Sequence, residues 1–310
     1  MRQDHLVLVD GNNITMRSYH AMYQSKLTAP DGTPSGAVYG NISALRSYMR
    51  ELAPTHMAWL FDGGRSDFRT NLRAEYKGHR KQAVVDAAKP NPAEDLPPQY
   101  EAFERFLDAL GIRHYRETGV EADDLIAQLV FRNREQDGMI TIISGDHDML
   151  QLVSDRCNVR VLRPGVASST KGLMGLSIGQ LMNEAEVERK YKTKVEYLAA
   201  MWALTGDTGD NIIGIPKVGP VTAAKWVNEW WGQLEDIVLK EPKCAGYERK
   251  VLQNRQLIEL KGDLGNVPFS YNDMAITSPT DHRWREAVEI LVQWDMRSIV
   301  ESIDRREFAA

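Results

Sequence analysis

Three stretches of the chain are unbroken apolar runs, and the segments between them read as amphipathic helices. "HLVLVDG", "HMAWLFDG" and "GMITIISGD" have the pattern of parallel strands covered on both faces. "YGNISALRSYMREL", "PPQYEAFERFLDALG" and "EADDLIAQLVFRNREQ" predict the helices between them. That alternation predicts an α/β core with right-handed crossovers. "NVRVLR" adds one more strand. From about Leu176 onward the pattern reads as almost wholly helical, through "SIGQLMNEAEVERKY", "KVEYLAAMWALTG" and "PVTAAKWVNEWWG". "QAVVDAAKPNPAEDLPP", with four prolines and scattered charges, reads as a mobile loop.

Composition narrows the class without deciding it. The 310 residues, 43 % hydrophobic and 26 % charged, suit one large globular domain or a core with a smaller one appended. "MRQDHLVLVDGNN" holds no apolar run long enough for a signal peptide, and no later segment is long enough to span a bilayer. No membrane role is expected. Cys157 and Cys244 are the only cysteines, which removes a disulfide framework and a cysteine zinc site. A reducing cytoplasm is the expected compartment, the host's if the chain is phage-encoded. A net charge of -5 does not advertise a nucleic-acid binder, but an acid cluster at one site can hide basic patches elsewhere.

Acids mark the ends of the predicted strands. Asp10, Asp62 and Asp146 are each the first acid after a buried run, and open parallel sheets bind ligands at those ends. Turn formation explains one such Asp; three point at one crevice. In "GVEADDLIAQLV", Glu121, Asp123 and Asp124 fall in the first turn of a helix. Capping and the helix dipole also favour acids there, by about 0.3–1 kcal/mol each. Asp148 follows Asp146 by two residues, so both face one side if the chain is extended. Asp207 and Asp210 lie in the Gly-rich turn of "ALTGDTGDN".

If these nine converge, two carboxylates about 5 Å apart repel by roughly 3 kcal/mol at an effective dielectric of 20. They cannot all stay ionised without cations or protonation. Oxygen ligands without paired His or Cys fit Mg²⁺ or Mn²⁺. So many acids suggest two ions, the usual apparatus for in-line attack on a phosphodiester.

Basic residues follow directly. In "GGRSDFRTNLRAEYKGHRKQ", Arg65, Arg69, Arg73, Lys77, Arg80 and Lys81 are opposed only by Asp67 and Glu75. A solvated helix face is the ordinary explanation. Next to Asp62, however, Lys77 and Arg80 are placed to reach the oxygens of a bound phosphate, and Tyr76 offers a stacking face for a base. "IPKVGPVTAAKW" resembles a helix–hairpin–helix, whose glycines and following helix N-terminus approach a phosphate. Lys217, Gly219, Thr222 and Lys225 are its candidate DNA contacts. Trp226, Trp230 and Trp231 read as helix core.

"LVDGNN", "FDGG…FR…EYKGHR", "GVEADD", "SGDHDMLQLV" and "ALTGDTGDN…G…VG…TA" occur in that order. With them the chain resembles the 5′-nuclease (flap endonuclease) superfamily, especially its bacterial and phage members and the 5′-exonuclease domain of DNA polymerase I. The resemblance implies a PIN-like parallel-sheet α/β core over residues 1–180, with a helical arch at about 65–100. It implies a helix–three-turn–helix DNA-binding subdomain over 181–270 and a C-terminal helical segment, 271–310, packing on the core. It implies that Asp10, Asp62, Glu121, Asp123, Asp124, Asp146, Asp148, Asp207 and Asp210 hold two Mg²⁺ or Mn²⁺ ions. Lys77 and Arg80 match the catalytic cations and Tyr76 the neighbouring aromatic, with Arg69 and Arg73 as further DNA contacts. It also implies K⁺ at the hairpin, on the main-chain carbonyls of Leu204, Thr205, Ile213, Ile215 and Val218.

The implied activity is a monomeric 5′-3′ exonuclease and 5′-flap endonuclease. It would act on DNA flaps, nicks or 5′ ends in replication and repair, leaving a 5′-phosphate and a 3′-hydroxyl. The hairpin departs from the family, which has Gly in place of Lys217 and Lys in place of Val221. Lys enters a left-handed backbone conformation less cheaply than Gly. Either the hairpin shifts, or Lys217 or Lys225 takes over the missing phosphate contact.

Other classes fit less well. A haloacid-dehalogenase-type phosphatase needs an Asp where Asn12 stands. A P-loop nucleotidase needs GxxxxGK[ST], which does not occur. A non-catalytic DNA-binding module has no use for nine acids. The alternative is a non-catalytic or weakly active member of the same superfamily.

Overall fold

The computed structural model describes residues 3–78, 91–165 and 178–309. β1 (Asp4–Asp10) is followed by α1 (Gly11–Met22), α2 (Gly36–Leu52) and β2 (His56–Gly63). Then come α3 (Asp67–Leu72), α4 (Pro92–Asp95), α5 (Pro97–Leu110), β3 (Arg113–Thr118), α6 (Ala122–Asn133) and β4 (Gly138–Ile143). β5 (Val159–Pro164) and β6 (Gly179–Met182) complete a six-stranded sheet of order β3-β2-β1-β4-β5-β6. All pairs are parallel except β5 with β6. The chain leaves β1 toward β3 on one side and returns beside β1 with β4. That reversal opens a crevice at the carboxyl ends of β1 and β4.

Both faces of β1 are apolar, which is why its sequence does not alternate. Leu6 and Leu8 pack with Leu60 and with Leu125, Ile126 and Leu129 of α6. Val7 and Val9 face the other way, against Trp59, Phe61, Ile42 and Leu45 of α2, and Phe103 and Phe106 of α5. Each such side chain contributes about 1.5–3 kcal/mol on burial.

The second half is built from α7 (Glu184–Tyr191), α8 (Leu198–Thr205), the two-stranded ribbon β7 (Gly206–Asp207) and β8 (Ile212–Ile213), α9 (Pro220–Glu229), α10 (Leu234–Lys240) and α11 (Glu248–Ile258). Residues Leu198 to Leu204 of α8 are buried on every side, so this helix is the post around which the others pack. They share one core with β1 and α6, which fixes the β7–β8 loop relative to the sheet. α12 (Asp281–Gln293) and α13 (Arg297–Val300) return to the opposite face, placing Ile290, Leu291, Ile299 and Phe308 in the α2–α5 core. Arg46 of α2 fastens this segment through Glu307 at 2.8 Å.

Several elements differ from the sequence-based expectation. α1 carries Gly and two Asn at its start and was not expected; it forms because the Asp10 carboxylate caps Asn13 and because Ile14 and Tyr19 are buried. β3, "RHYRET", is an edge strand with no apolar run. "GQLM" is a strand rather than helix, while α8 ends at Gly206, φ 76°, where the helical reading also ended. Of the predicted loop at 82–98, residues 82–90 lie outside the described residues, and Pro92–Asp95 and Pro97 onward are helical.

Candidate metal and nucleic-acid site

The crevice beside β1 gathers the strand-end acids. Asp10 is buried, with Oδ1 accepting from the Asn13 N–H at 2.9 Å and Oδ2 from the Ser144 hydroxyl at 2.7 Å. Asp62 donates its N–H to Asn12 Oδ1 at 2.8 Å, and its own Oδ1 accepts from the Ala122 N–H at 2.8 Å. The first turn of α6 is thereby capped by Asp62. Asp146 follows β4 and donates its N–H to Ser144 Oγ at 3.0 Å. Burial and the neighbouring Asp62 charge push the Asp10 carboxyl up to about 7. Burial, then Asp146 and Asp10, raise Asp123 well above the ordinary carboxylate range.

Glu121 occupies the N-cap of α6, yet its side chain makes no capping bond. Its Oε1 accepts from Lys77 Nζ at 2.7 Å, and its Oε2 from the Tyr76 hydroxyl at 3.1 Å and from Arg69 at 3.2 Å. Capping therefore does not account for this acid. Asp124, 0 % exposed, accepts from the Arg69 guanidinium on both oxygens, at 3.0 Å for Oδ1. Arg69 also donates Nε to the Leu257 carbonyl of α11 at 2.8 Å.

Two expectations are corrected here. Arg69, 3 % exposed, is an internal counter-charge rather than a DNA contact, and Asp124 is its partner rather than a free metal ligand. Burial raises the Asp124 carboxyl, and the Arg69 guanidinium beside it opposes that rise.

Tyr76 is corrected as well. It is 2 % exposed and offers no face to a base. Its hydroxyl is shared between Glu121 and Asp210, whose Oδ2 lies at 2.8 Å. Burial, Glu121 and Asp210 raise its pKa, so it stays a donor. The Lys77 ammonium sits 3.6 Å from Asp210 and 5.1 Å from the Tyr76 ring centroid. Burial opposes its charge, but Glu121, Asp210 and Asp123 outweigh that and hold it protonated. The Lys77 backbone is left-handed, φ 52°, and its N–H donates to the Asp210 carbonyl at 3.1 Å. Arg73 is half-buried beyond the end of α3. Arg80 lies outside the described residues.

Asp207 and Asp210 approach from the β7–β8 loop. Asp207 Oδ1 accepts from the Gly209 N–H at 2.7 Å. Asn254 of α11 ties both flanks of this loop, donating Nδ2 to the Ala203 and Ile213 carbonyls at 3.0 Å each. Asn211 donates to the Glu75 carbonyl at 2.9 Å, joining the loop to the segment of Tyr76 and Lys77. The sequence did not reveal either Asn, because neither side chain carries a signature of which carbonyl it serves.

Beyond Asp146 the chain is not extended as expected. The Asp148 N–H donates to Asp146 Oδ1 at 3.1 Å and a 3-10 turn, Asp148–Leu152, begins. His147 lies between these acids, its Nδ1 3.4 Å from Asp146 Oδ1, its Nε2 3.5 Å from Asp148 Oδ1 and 3.5 Å from Asp207 Oδ2. A single histidine thus joins the acids, which were expected without paired His or Cys. Burial, Asp146, Asp210 and Asp207 raise Asp148 well above the ordinary range. Repulsion thus runs through two groups, one around Asp123 and one around Asp148, with Asp146 common to both.

Residues 5–192 match the family described as 5′-3′ exonuclease, N-terminal resolvase-like domain, and residues 193–282 match 5′-3′ exonuclease, C-terminal SAM fold. The chain belongs to the 5′-3′ exonuclease family. DNA polymerase I of Mycobacterium leprae is 35 % identical over 273 residues, covering 86 % of this chain and 28 % of that protein. DNA polymerase I of Streptococcus pneumoniae is 33 % identical over 240 residues, covering 76 % of this chain and 25 % of that protein. The chain spans only those shares of its relatives' length.

Among solved structures, the bacteriophage T5 flap endonuclease, in a pseudo-enzyme-product complex with DNA and metal ions, superposes with TM-score 0.65 at 22 % identity, covering 94 % of this chain and 99 % of that one. Flap endonuclease-1 of Methanococcus jannaschii gives 0.53 at 16 %, covering 95 % and 94 %. The fold is thus the PIN-like α/β fold of those proteins, with its helical SAM-like part following.

In this exonuclease-family chain the hairpin after β8 keeps a left-handed residue where a glycine was expected. Lys217 is exposed with φ 62°, and the Val218 N–H donates to the Ile215 carbonyl at 3.1 Å. Gly219 caps α9, with open space where a Cβ would stand. Thr222 is half-buried and Lys225 exposed on that helix. Trp226 is buried, but Trp231 is 72 % exposed at φ 48°, beyond the end of α9, and is not the core residue expected. Of the five carbonyls expected at a K⁺ site, Leu204 accepts from the Ile215 N–H at 2.9 Å, Ile213 from Asn254, and Ile215 from Val218.

Proposed function

We propose that the protein is a metal-dependent 5′-3′ exonuclease and structure-specific 5′-flap endonuclease. Its substrate would be DNA with a 5′ flap, nick or 5′ end, and its products a 5′-phosphate and a 3′-hydroxyl. The observation that carries this reading is the meeting of acids from β1, β2, α6, the β4 end and the β7–β8 loop around Asp146, with Lys77 alongside.

The residues fit a pair of divalent cations. Asp10, Asp123 and Asp148 are all raised by burial and by one another's neighbours, the condition that bound cations relieve. Asp10, Asp62, Asp123 and Asp146 would hold one ion, and Asp146, Asp148 and Asp207 the other, Mg²⁺ or Mn²⁺. When bound, such ions polarise a phosphoryl oxygen and lower the pKa of water.

The chain's own residues do the rest. Lys77, held protonated by Glu121 and Asp210, supplies positive charge to the non-bridging oxygens as charge develops there. Arg80 is its expected partner. Tyr76 and Arg69 hold Glu121 in place from below. Lys217 and Lys225, both exposed, and the start of α9 at Gly219 suit the duplex backbone. K⁺ on the carbonyls around Leu204 to Val218 remains part of the proposal, as do a monomeric state and a cytoplasmic setting.

A 5′-labelled flap duplex incubated with and without Mg²⁺ tests the reading. Cation-dependent incision near the flap junction, with 5′-phosphate products, supports it. An uncut flap, or cutting indifferent to chelation, contradicts it.

A further inference from the structure

We propose that His147 is a direct nitrogen ligand of one of these cations, which it shares with Asp148 and Asp207, and that this position prefers a transition ion over Mg²⁺. The proposal rests on the acids being the cation site.

The geometry is specific to one ring edge. His147 Nε2 lies 3.5 Å from Asp148 Oδ1 and 3.5 Å from Asp207 Oδ2. These separations are longer than hydrogen bonds. Two ligand atoms about 2.1 Å from a common ion lie roughly 3.4 Å apart at tetrahedral angles and roughly 3.0 Å apart at octahedral ones. His147 Nε2 is therefore spaced from each of these two oxygens as one ligand atom is from its neighbour in a coordination sphere. The three atoms come from three residues on two elements, the turn after β4 and the β7–β8 ribbon.

The ring is also braced. His147 meets the indole of Trp202 edge-on, centroids 4.7 Å apart at 86°. Trp202 is buried in α8 and is itself wedged by Tyr191 at 5.7 Å. A histidine serving only as a solvated surface group has no need of a fixed ring plane, whereas a ligand does. At 36 % exposure the His147 side chain remains open to an entering ion.

Imidazole nitrogen favours borderline transition metals, while carboxylates and water suit Mg²⁺. A nitrogen donor added to an oxygen set thus raises affinity for Co²⁺ or Zn²⁺ more than for Mg²⁺. Asp10, Asp62 and Asp123, which have no histidine among them, would hold the position that stays Mg²⁺-like.

The direct test is electron spin-echo envelope modulation of Mn²⁺ bound to the intact protein without DNA. Wild type is expected to show ¹⁴N modulation from a coordinated imidazole. His147→Phe, which keeps a ring against Trp202 and removes both nitrogens, is expected to abolish it. By calorimetry His147→Phe should weaken Co²⁺ binding by about tenfold or more and Mg²⁺ binding by less than about threefold. Absence of ¹⁴N modulation in wild type overturns the proposal, and needs no variant to fold. Equal weakening of Co²⁺ and Mg²⁺ overturns it too. If either occurs while wild type still cuts a flap with Mg²⁺, only His147 loses its role; if no ion binds and nothing is cut, the nuclease reading falls with it.

Discussion

Lys77 Nζ lies 2.7 Å from Glu121 Oε1, and the same carboxylate accepts from Tyr76 and Arg69. Glu121 is thus the hub through which the base of the 65–78 segment reaches the acid cluster. A cation placed this way serves charge that develops during reaction more than it serves binding. Lys77→Ala is expected to slow single-turnover cleavage by about a hundredfold or more, while flap affinity changes by less than about threefold. Rates within a few-fold of wild type would return Lys77 to the role of a structural ion-pair partner.

Arg69 gives a contrasting expectation. Its loss leaves Asp124 buried without a counter-charge, a change that costs about 3–5 kcal/mol. Arg69→Ala should therefore melt well below wild type, and Arg69→Met combined with Asp124→Leu should recover most of the loss. Thermal unfolding of the three proteins measures this. An Arg69→Ala protein of normal stability and weakened DNA binding would restore the surface-contact role that the sequence suggested.

The metal-free protein should lose stability as pH rises. The native Asp10 carboxyl titrates at about 7, above its ordinary value of 3.8. Between those values the folded state holds a proton that the unfolded state has released, so stability falls with rising pH across that window. Asp10→Asn, which removes the titration, should gain over wild type by up to about 1.4 kcal/mol per pH unit between pH 4 and 7. Melting in chelator at pH 5 and pH 8 shows it: the advantage of the variant should be larger at pH 8, and Mg²⁺ should erode it. An advantage that shrinks with pH contradicts the burial of Asp10 as a strained acid.

At the hairpin, stability and binding should move in opposite directions. Lys217 sits at φ 62°, where a side chain costs about 1 kcal/mol. Lys217→Gly should raise the melting temperature slightly while weakening flap binding. Lys217→Ala with Lys225→Ala should make the log–log salt slope shallower by about one unit per lost phosphate contact, equally for unrelated duplex sequences. The cut position should not move. Unchanged affinity and slope in the double variant would leave the grip to main-chain groups alone.

The strands that build the crevice were legible because both of their faces are apolar; β1, β2 and β4 could be read as unbroken runs. The acids could be placed because strand ends and helix starts are fixed by the same pattern. What could not be read was which charges turn inward. Arg69 looked like one of several exposed basic residues because Asp124, the partner that explains its burial, lies 55 positions away. Tyr76 looked like a stacking platform for the same reason, since its two acceptors come from α6 and from the β7–β8 loop. β3 was missed because an edge strand needs no apolar run. His147 was passed over because a lone histidine carries no spacing signal until the fold brings Asp207 beside it.

Asp146 links the two groups of acids, so its removal tests the whole account most directly. We expect Asp146→Asn, assayed on a labelled 5′-flap duplex at saturating Mg²⁺, to cut at no detectable rate while binding the same flap as well as wild type or better, because one negative charge facing DNA is gone. Near-normal cleavage by Asp146→Asn under those conditions would contradict the assignment of this acid cluster as the cation site of a nuclease.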